Sequence, residues 1–218
     1  MAVQRWEEQF LSAEECDRLQ ELYGPLAEAV RELIDACVRT SAGQATVSDA
    51  TASIRSVTES LQPLNEDGWQ ALRHADTGRP LLFTNPAAGW RNPVAPPMVI
   101  HHDSDGRCRS DFTLGAVYEG PPGMAHGGIA ALVLDQLLGE AATSGLTKPK
   151  FTGTISLRYL RGTPLGRLRA EAYVDRVEGN KTYARGVIRD AQGPTVEAEV
   201  VFIMPTWARD TDQGTRTR

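Results

Sequence analysis

The stretch Gly120-Pro-Pro-Gly-Met-Ala-His126-Gly127-Gly128-Ile-Ala-Ala-Leu-Val-Leu-Asp135-Gln-Leu-Leu-Gly139 reads as a turn running into an apolar helix that opens on a diglycine and carries a lone acid. Leu132, Val133 and Leu134 precede Asp135, and Leu137 and Leu138 follow Gln136. A helix with that pattern buries most of its circumference and draws the carboxylate partly out of water. Burying a carboxylate is costly unless the group is paired, hydrogen-bonded or used in chemistry.

At ~1.5 Å rise and ~100° per residue, the nine steps from His126 to Asp135 set the two roughly 13 Å apart and about half a turn out of phase. One helix cannot bring both to the same substrate atom. If the diglycine amides and the carboxylate act together, the amides come from a second, antiparallel copy of the helix. That predicts a homodimer, or a dimer of dimers, with composite sites at its interface. A helix start offers unpaired N–H groups, and glycine lets a substrate approach them with no Cβ in the way. Such a site holds the negative charge that develops on a carbonyl oxygen in acyl transfer, with an effect of about 10² to 10³ per donor. Asp135 is placed to attack a thioester carbonyl or to take a proton from water that does.

The pattern His-Gly-Gly, six residues, Asp, three residues, Gly resembles that of the hotdog-fold acyl-CoA thioesterases of the PaaI-like and THEM4-like kind, and Tyr118 to His126 is similar to the THEM4-like branch in particular. The likeness covers about residues 97 to 205. It implies an α+β hotdog fold, an antiparallel sheet wrapped around a central helix at residues 126 to about 143. It implies Asp135 as catalytic base or nucleophile and Gly127 with Gly128 as the oxyanion site. It also implies a threonine on the following strand that assists the carboxylate: Thr152, with Thr154 as the alternative if the loop from Thr143 to Lys150 is one residue longer than usual. His126 then orients the loop or bonds to the backbone. The implied reaction splits acyl-CoA with water into a free carboxylic acid and CoA, with no metal or redox cofactor.

With 218 residues and 41% hydrophobic content, the chain suits one domain plus an extension. We expect an N-terminal helical extension and irregular linker over 1–96, the hotdog domain over 97–206 and a disordered tail over 207–218. Ser12 and Glu15 form a capping-box signature. Leu19, Leu22, Leu26, Val30, Leu33 and Cys37 then recur every three or four residues, predicting a helix from about 13 to 39 with a bend at Gly24-Pro25. Val47, Ile54, Val57 and Leu61 predict a second helix ending before Pro63. From Asn65 to Pro97 glycines and prolines break any period, so this segment reads as a linker held on the domain by Trp69 and Trp90. Strands are expected at Met98 to His102 and Cys108 to Leu114, flanking the hairpin signal Ser104-Asp105-Gly106. Others are expected at Phe151 to Tyr159, Arg167 to Val177, Thr182 to Arg189 and Thr195 to Met204.

The longest apolar run, Ile129 to Leu134, is too short to cross a bilayer, and the first residues lack the pattern of a secretory signal, so no stable membrane insertion and a cytoplasmic location are expected. Cys16, Cys37 and Cys108 are widely spaced and suggest neither a disulfide framework nor a zinc site. His101, His102, Asp103 and Asp105 are metal-ligand types, but strand alternation sends neighbours to opposite faces, so no metal is expected. The net charge of −5 is unevenly spread. Residues 1–62 hold five Lys or Arg against eleven Asp or Glu, whereas residues 145–190 hold ten against four. The basic part includes Lys148, Lys150, Arg158, Arg161, Arg167 and Arg169, and positive charge there would attract the phosphates of a CoA moiety. Arg158, Arg161 and Thr154 are the candidate substrate-binding residues. An acidic chain with no aromatic-basic signature is not expected to bind nucleic acid. Two other readings use the same fold: a noncatalytic acyl-CoA-binding dimer that senses lipid status, and a dehydratase or hydratase, for which a helix-start histidine such as His126 is a poor match.

Overall fold

The structure is a computed structural model, and it describes residues 8–62 and 71–213. In chain order the elements are β1 (Glu8–Leu11), α1 (Ala13–Arg39), α2 (Gln44–Leu61), β2 (Ala71–His74), β3 (His101–His102), β4 (Cys108–Leu114), α3 (Gly127–Ala142), β5 (Phe151–Tyr159), β6 (Gly166–Glu178), β7 (Lys181–Asp190), β8 (Gly193–Ile203) and α4 (Thr206–Gln213). Six strands form an antiparallel sheet in the order β3-β4-β6-β7-β8-β5. This is the α+β architecture expected from the central motif.

Alternation builds the core. On β4, Cys108, Ser110, Phe112 and Leu114 are buried, and β6, β7 and β8 present Leu168, Ala170, Ala172, Ala184, Ile188, Val196, Ala198, Val200 and Phe202 to the same interior. Into that face α3 lays Val133, Leu134, Leu137 and Leu138, all fully buried. Each is favoured by about 2 kcal/mol over its exposed state. The facing alanines let the helix sit close, and Gly186 is closest: a Cβ there would lie 3.1 Å from Leu134 and 3.2 Å from Leu138.

The N-terminal region is helical as its leucine period predicts. Ser12 and Glu15 make the reciprocal capping box, and α1 runs through Pro25 without a break. Gly24, which precedes that proline, lacks the Cβ with which the proline ring would collide. Arg91 lies over the Tyr23 ring at 3.8 Å, and the Tyr118 hydroxyl donates to Ala95 O at 2.9 Å, tying the linker to α1 and to the core. Within the linker, Phe83 and Trp90 meet at 5.0 Å between ring centroids. Trp69 lies outside the described residues.

Three expectations are corrected. β1 lies just ahead of the expected first helix and β2 inside the expected linker, and the two pair in parallel. Four-residue strands with no regular alternation leave no periodic trace. The strand expected from Met98 shrinks to His101–His102, because Pro96 and Pro97 supply no amide donor to a ladder and Met98 N–H turns back to Pro96 O at 2.7 Å. The tail expected to be disordered from 207 begins instead as α4, anchored by buried Ala208 and by Arg209, whose Nε donates to Met204 O.

Candidate active site at the start and middle of helix α3

Asp135 is half-buried on α3, and its Oδ1 accepts a hydrogen bond of 3.0 Å from the Thr152 hydroxyl. That contact depends on a bulge. The β5–β8 register runs Thr152 opposite Phe202 and then Thr154 opposite Val201, leaving Gly153 as an extra residue. Residues directly opposite in a ladder share a face. Thr152 therefore shares the interior face with buried Phe202, and Ile155, Leu157 and Tyr159 continue that face opposite Val200, Ala198 and Val196. Thr154 falls on the outer face. An unbroken strand would have put Thr152 outside as well.

The start of α3 is a clamped turn. His126 is the N-cap in extended conformation, and its Nδ1 accepts from Gly128 N–H at 3.0 Å. The carbonyl of the same peptide unit, Gly127 O, accepts from the Tyr159 hydroxyl at 3.0 Å. Among the described residues, Gly127 N–H has no acceptor. Of the two amides expected to serve an oxyanion, Gly128 is thus engaged by His126, and Gly127 is the free donor. Both positions are tight for any side chain. A Cβ on Gly127 would come within 3.2 Å of the Tyr159 hydroxyl, and one on Gly128 within 3.1 Å of His126 Nδ1.

A second acid on α3 is arranged differently. Glu140 is buried, and its Oε2 lies 3.1 Å from Arg79 and 3.2 Å from His102 Nε2. His102 Nε2 is 2.7 Å from the Arg79 guanidinium, which can only donate, and Nδ1 is 3.2 Å from Cys108 Sγ. Burial, and then Arg79, push the His102 pKa down, while Glu140 pulls the other way. A neutral imidazole that accepts at Nε2 fits this direction. Burial and then Glu140 push the Cys108 thiol up to about 12, which leaves it protonated and unreactive. Glu140 therefore anchors the linker to the helix, whereas Asp135 keeps solvent access and a single neutral partner.

The expected substrate-binding residues divide. Arg158 is exposed on the outer face opposite Glu197. Arg161 forms a bidentate pair with Asp190 and also donates to Gly193 O at 2.9 Å, so its charge is already matched. Arg169 is likewise paired in bidentate fashion with Asp111. Lys150 donates to Ala142 O and Thr182 Oγ1. Of the four residues at the His-His hairpin, Asp103 pairs with Arg109 and Asp105 with Arg107. Sequence reasoning missed Tyr159 and the Arg79–Glu140 anchor. Gly153 inside a strand pattern was a bulge signal, but an aromatic in an alternating strand gives no hint that its hydroxyl caps a helix turn.

The thioesterase superfamily model matches residues 122–197, the span that contains α3 and the strands β5, β6 and β7. A crystal structure of a thioesterase superfamily protein, protein RHA08564, is similar at 34% identity over 83% of this chain and 94% of that one, with a TM-score of 0.75. A phenylacetic acid degradation-related protein from Ralstonia eutropha JMP134 is similar at 23% identity over 49% of this chain and 83% of that one, TM-score 0.45. A thioesterase from Haemophilus influenzae is similar at 16% identity over 49% and 76%, TM-score 0.44. The last two carry no weight in the assignment. On the family model and the first structure, the chain belongs to the thioesterase superfamily and has its hotdog fold. Membership supports thioester hydrolysis as the class of activity. Among the described residues no helix is long and apolar enough to cross a membrane.

Proposed function

We propose that the chain is an acyl-CoA thioesterase that works as a homodimer or a dimer of dimers, with residues 97–206 as the catalytic domain and 1–96 as an extension packed on it. Asp135 is the general base or nucleophile, the Gly127 amide receives the oxyanion, and Thr152 orients the carboxylate. The observation that carries the reading is the pairing of a half-exposed carboxylate, fixed by one neutral hydroxyl, with a helix start whose first amide is left without a partner.

The steps follow from those positions. The Thr152 hydroxyl occupies Oδ1 of Asp135 and leaves Oδ2 to accept the proton of a water or to attack the thioester carbon itself. As the carbonyl becomes tetrahedral, its oxygen gains charge, and the Gly127 N–H stabilises that charge at the positive end of α3. Collapse expels the CoA thiolate. Where water attacked, the product is the carboxylic acid and the proton held by Asp135 goes to the thiolate; where Asp135 attacked, the product is a mixed anhydride that a water then cleaves to free the acid and restore the carboxylate. Eight helical steps lead from Gly127 to Asp135, about 12 Å along one helix, so the two halves of a site belong to different protomers. Among the described residues the nine-residue strand β5 is an edge of the sheet, with Phe151 and Tyr159 on it and Leu160 just past it exposed, an arrangement suited to burial against a second copy.

Thiol release from short, medium, long and aromatic acyl-CoAs tests the reading. The wild type should turn over at least one class, and Asp135→Asn should lose at least a hundredfold in kcat while its assembly state and Tm are unchanged. Turnover by Asp135→Asn at the wild-type rate would overturn it. Tight binding of acyl-CoA with no thiol release by the wild type would favour the noncatalytic dimer instead.

A further inference from the structure

We propose that Tyr159 is a positioning residue of this site, clamping the Gly127–Gly128 peptide and walling the approach to the Gly127 amide; the inference rests on the roles given above to Asp135 and Gly127. The peptide unit that joins the two glycines is gripped at both ends by side chains. Tyr159 donates to its oxygen and His126 accepts from its hydrogen, each at 3.0 Å. The clamp holds the following peptide unit, and the preceding amide, Gly127 N–H, has no acceptor among the described residues and is left for the substrate. The diglycine thus serves the clamp as well as the substrate, since a methyl on either residue would press on the side chain that holds the unit.

Placement of the ring supports a second task. Tyr159 stands on the interior face of β5 opposite Val196, which is fully buried, yet 54% of Tyr159 is exposed. Its phenol edge lies against Gly127, so its open face borders whatever is seated on the Gly127 amide. An acyl carbonyl drawn to that donor brings its neighbouring atoms against an aromatic surface, which favours flat or branched apolar groups beside the thioester. Tyr159 thus positions the donor through Gly127 and walls the seat beside it, and it takes no part in proton transfer.

The test uses the full-length chain and the best acyl-CoA of the panel. Tyr159→Phe should keep the assembly state and Tm, lower kcat about tenfold, the effect of one lost hydrogen bond on a transition-state donor, and leave KM within about twofold. Tyr159→Leu should lower kcat equally and raise KM as the wall is lost. Amide hydrogen exchange at Gly128 should quicken in Tyr159→Phe, and exchange elsewhere on α3 should not. Gly127→Ala should lose more activity in the wild-type background than in Tyr159→Leu, because removing the ring frees room for the methyl; strictly additive losses overturn the clamp. A Tyr159→Phe variant with wild-type kcat and unchanged exchange overturns it too, even if Asp135→Asn is inert. An active Asp135→Asn instead removes the reading on which the clamp depends.

Discussion

Thr152 Oγ1 lies 3.0 Å from Asp135 Oδ1, and the two meet because one residue, Gly153, is extra in its strand. The bulge turns Thr152 inward and leaves Thr154 outside. A Cβ at Gly153 would come within 2.7 Å of the Ile203 side chain and 3.2 Å of Val201 O, so a larger residue at the bulge would displace Ile203.

Thr152→Ala should therefore lower kcat about tenfold, as expected for one hydrogen bond that orients a reacting group. Thr152→Ser should recover most of it, and Thr154→Ala should leave thiol release unchanged. Equal effects of the Ala substitutions at 152 and 154 would contradict the register.

His126 caps α3 through Nδ1, and the cap predicts stability rather than proton transfer. His126→Ala should cost about 1 kcal/mol in denaturant unfolding, whereas His126→Asn, a better N-cap, should keep most of it. A pH–rate profile that loses a limb in His126→Asn while unfolding is unaffected would assign His126 a chemical role instead.

Much of this was legible in the sequence because the motif is local. The diglycine, the lone acid and the strand alternation each sit within a few residues of the feature they specify. The bulge was not legible as a face-switch: alternation counted through Gly153 puts Thr152 and Thr154 together, and it takes the pairing with Phe202 and Val201 to separate them. Arg161 looked like a phosphate ligand for a similar reason. Its partner Asp190 is distant in sequence, so a charge count sees only an excess of arginine. The parallel pair β1–β2 joins segments more than 60 residues apart and has no local signature at all.

The Arg161–Asp190 pair should show itself through folding. Arg161→Ala should lower Tm more than it changes KM for acyl-CoA. The Arg161 hydrogen bond holds the Asp190 carboxyl below its ordinary range. A carboxyl depressed by folding stabilises above its unfolded pKa and loses that contribution as pH falls toward the lower folded value. The Tm difference between wild type and Asp190→Asn should thus be largest near neutrality and shrink as pH drops below about 4. A difference that grows with acid would contradict the pairing.

The three cysteines should separate by reactivity. Cys37 is exposed, Cys16 partly so, and Cys108 is buried with its thiol pushed up to about 12. A thiol reagent at pH 8 should modify Cys37 rapidly and Cys108 only on unfolding. Glu140→Gln should loosen the Arg79 anchor and speed modification of Cys108; protection that survives would mean the anchor does not keep this end of the core closed.

The central claim is that one protomer's acid works with the other's amide. Gly127→Pro removes the donor at a position whose backbone accepts proline, since Gly127 is the first residue of α3 and His126 is already extended, and it asks the Tyr159 side chain to give by a few tenths of an ångström. Asp135→Asn and Gly127→Pro chains, each inactive alone and each assembled, are unfolded together and refolded as a mixture. Half of the dimers then carry one of each chain, and each mixed dimer contains one site with both an intact acid and an intact amide. Thiol release should return to about one quarter of the wild-type rate. Mixed dimers shown to form but inactive would contradict the composite site.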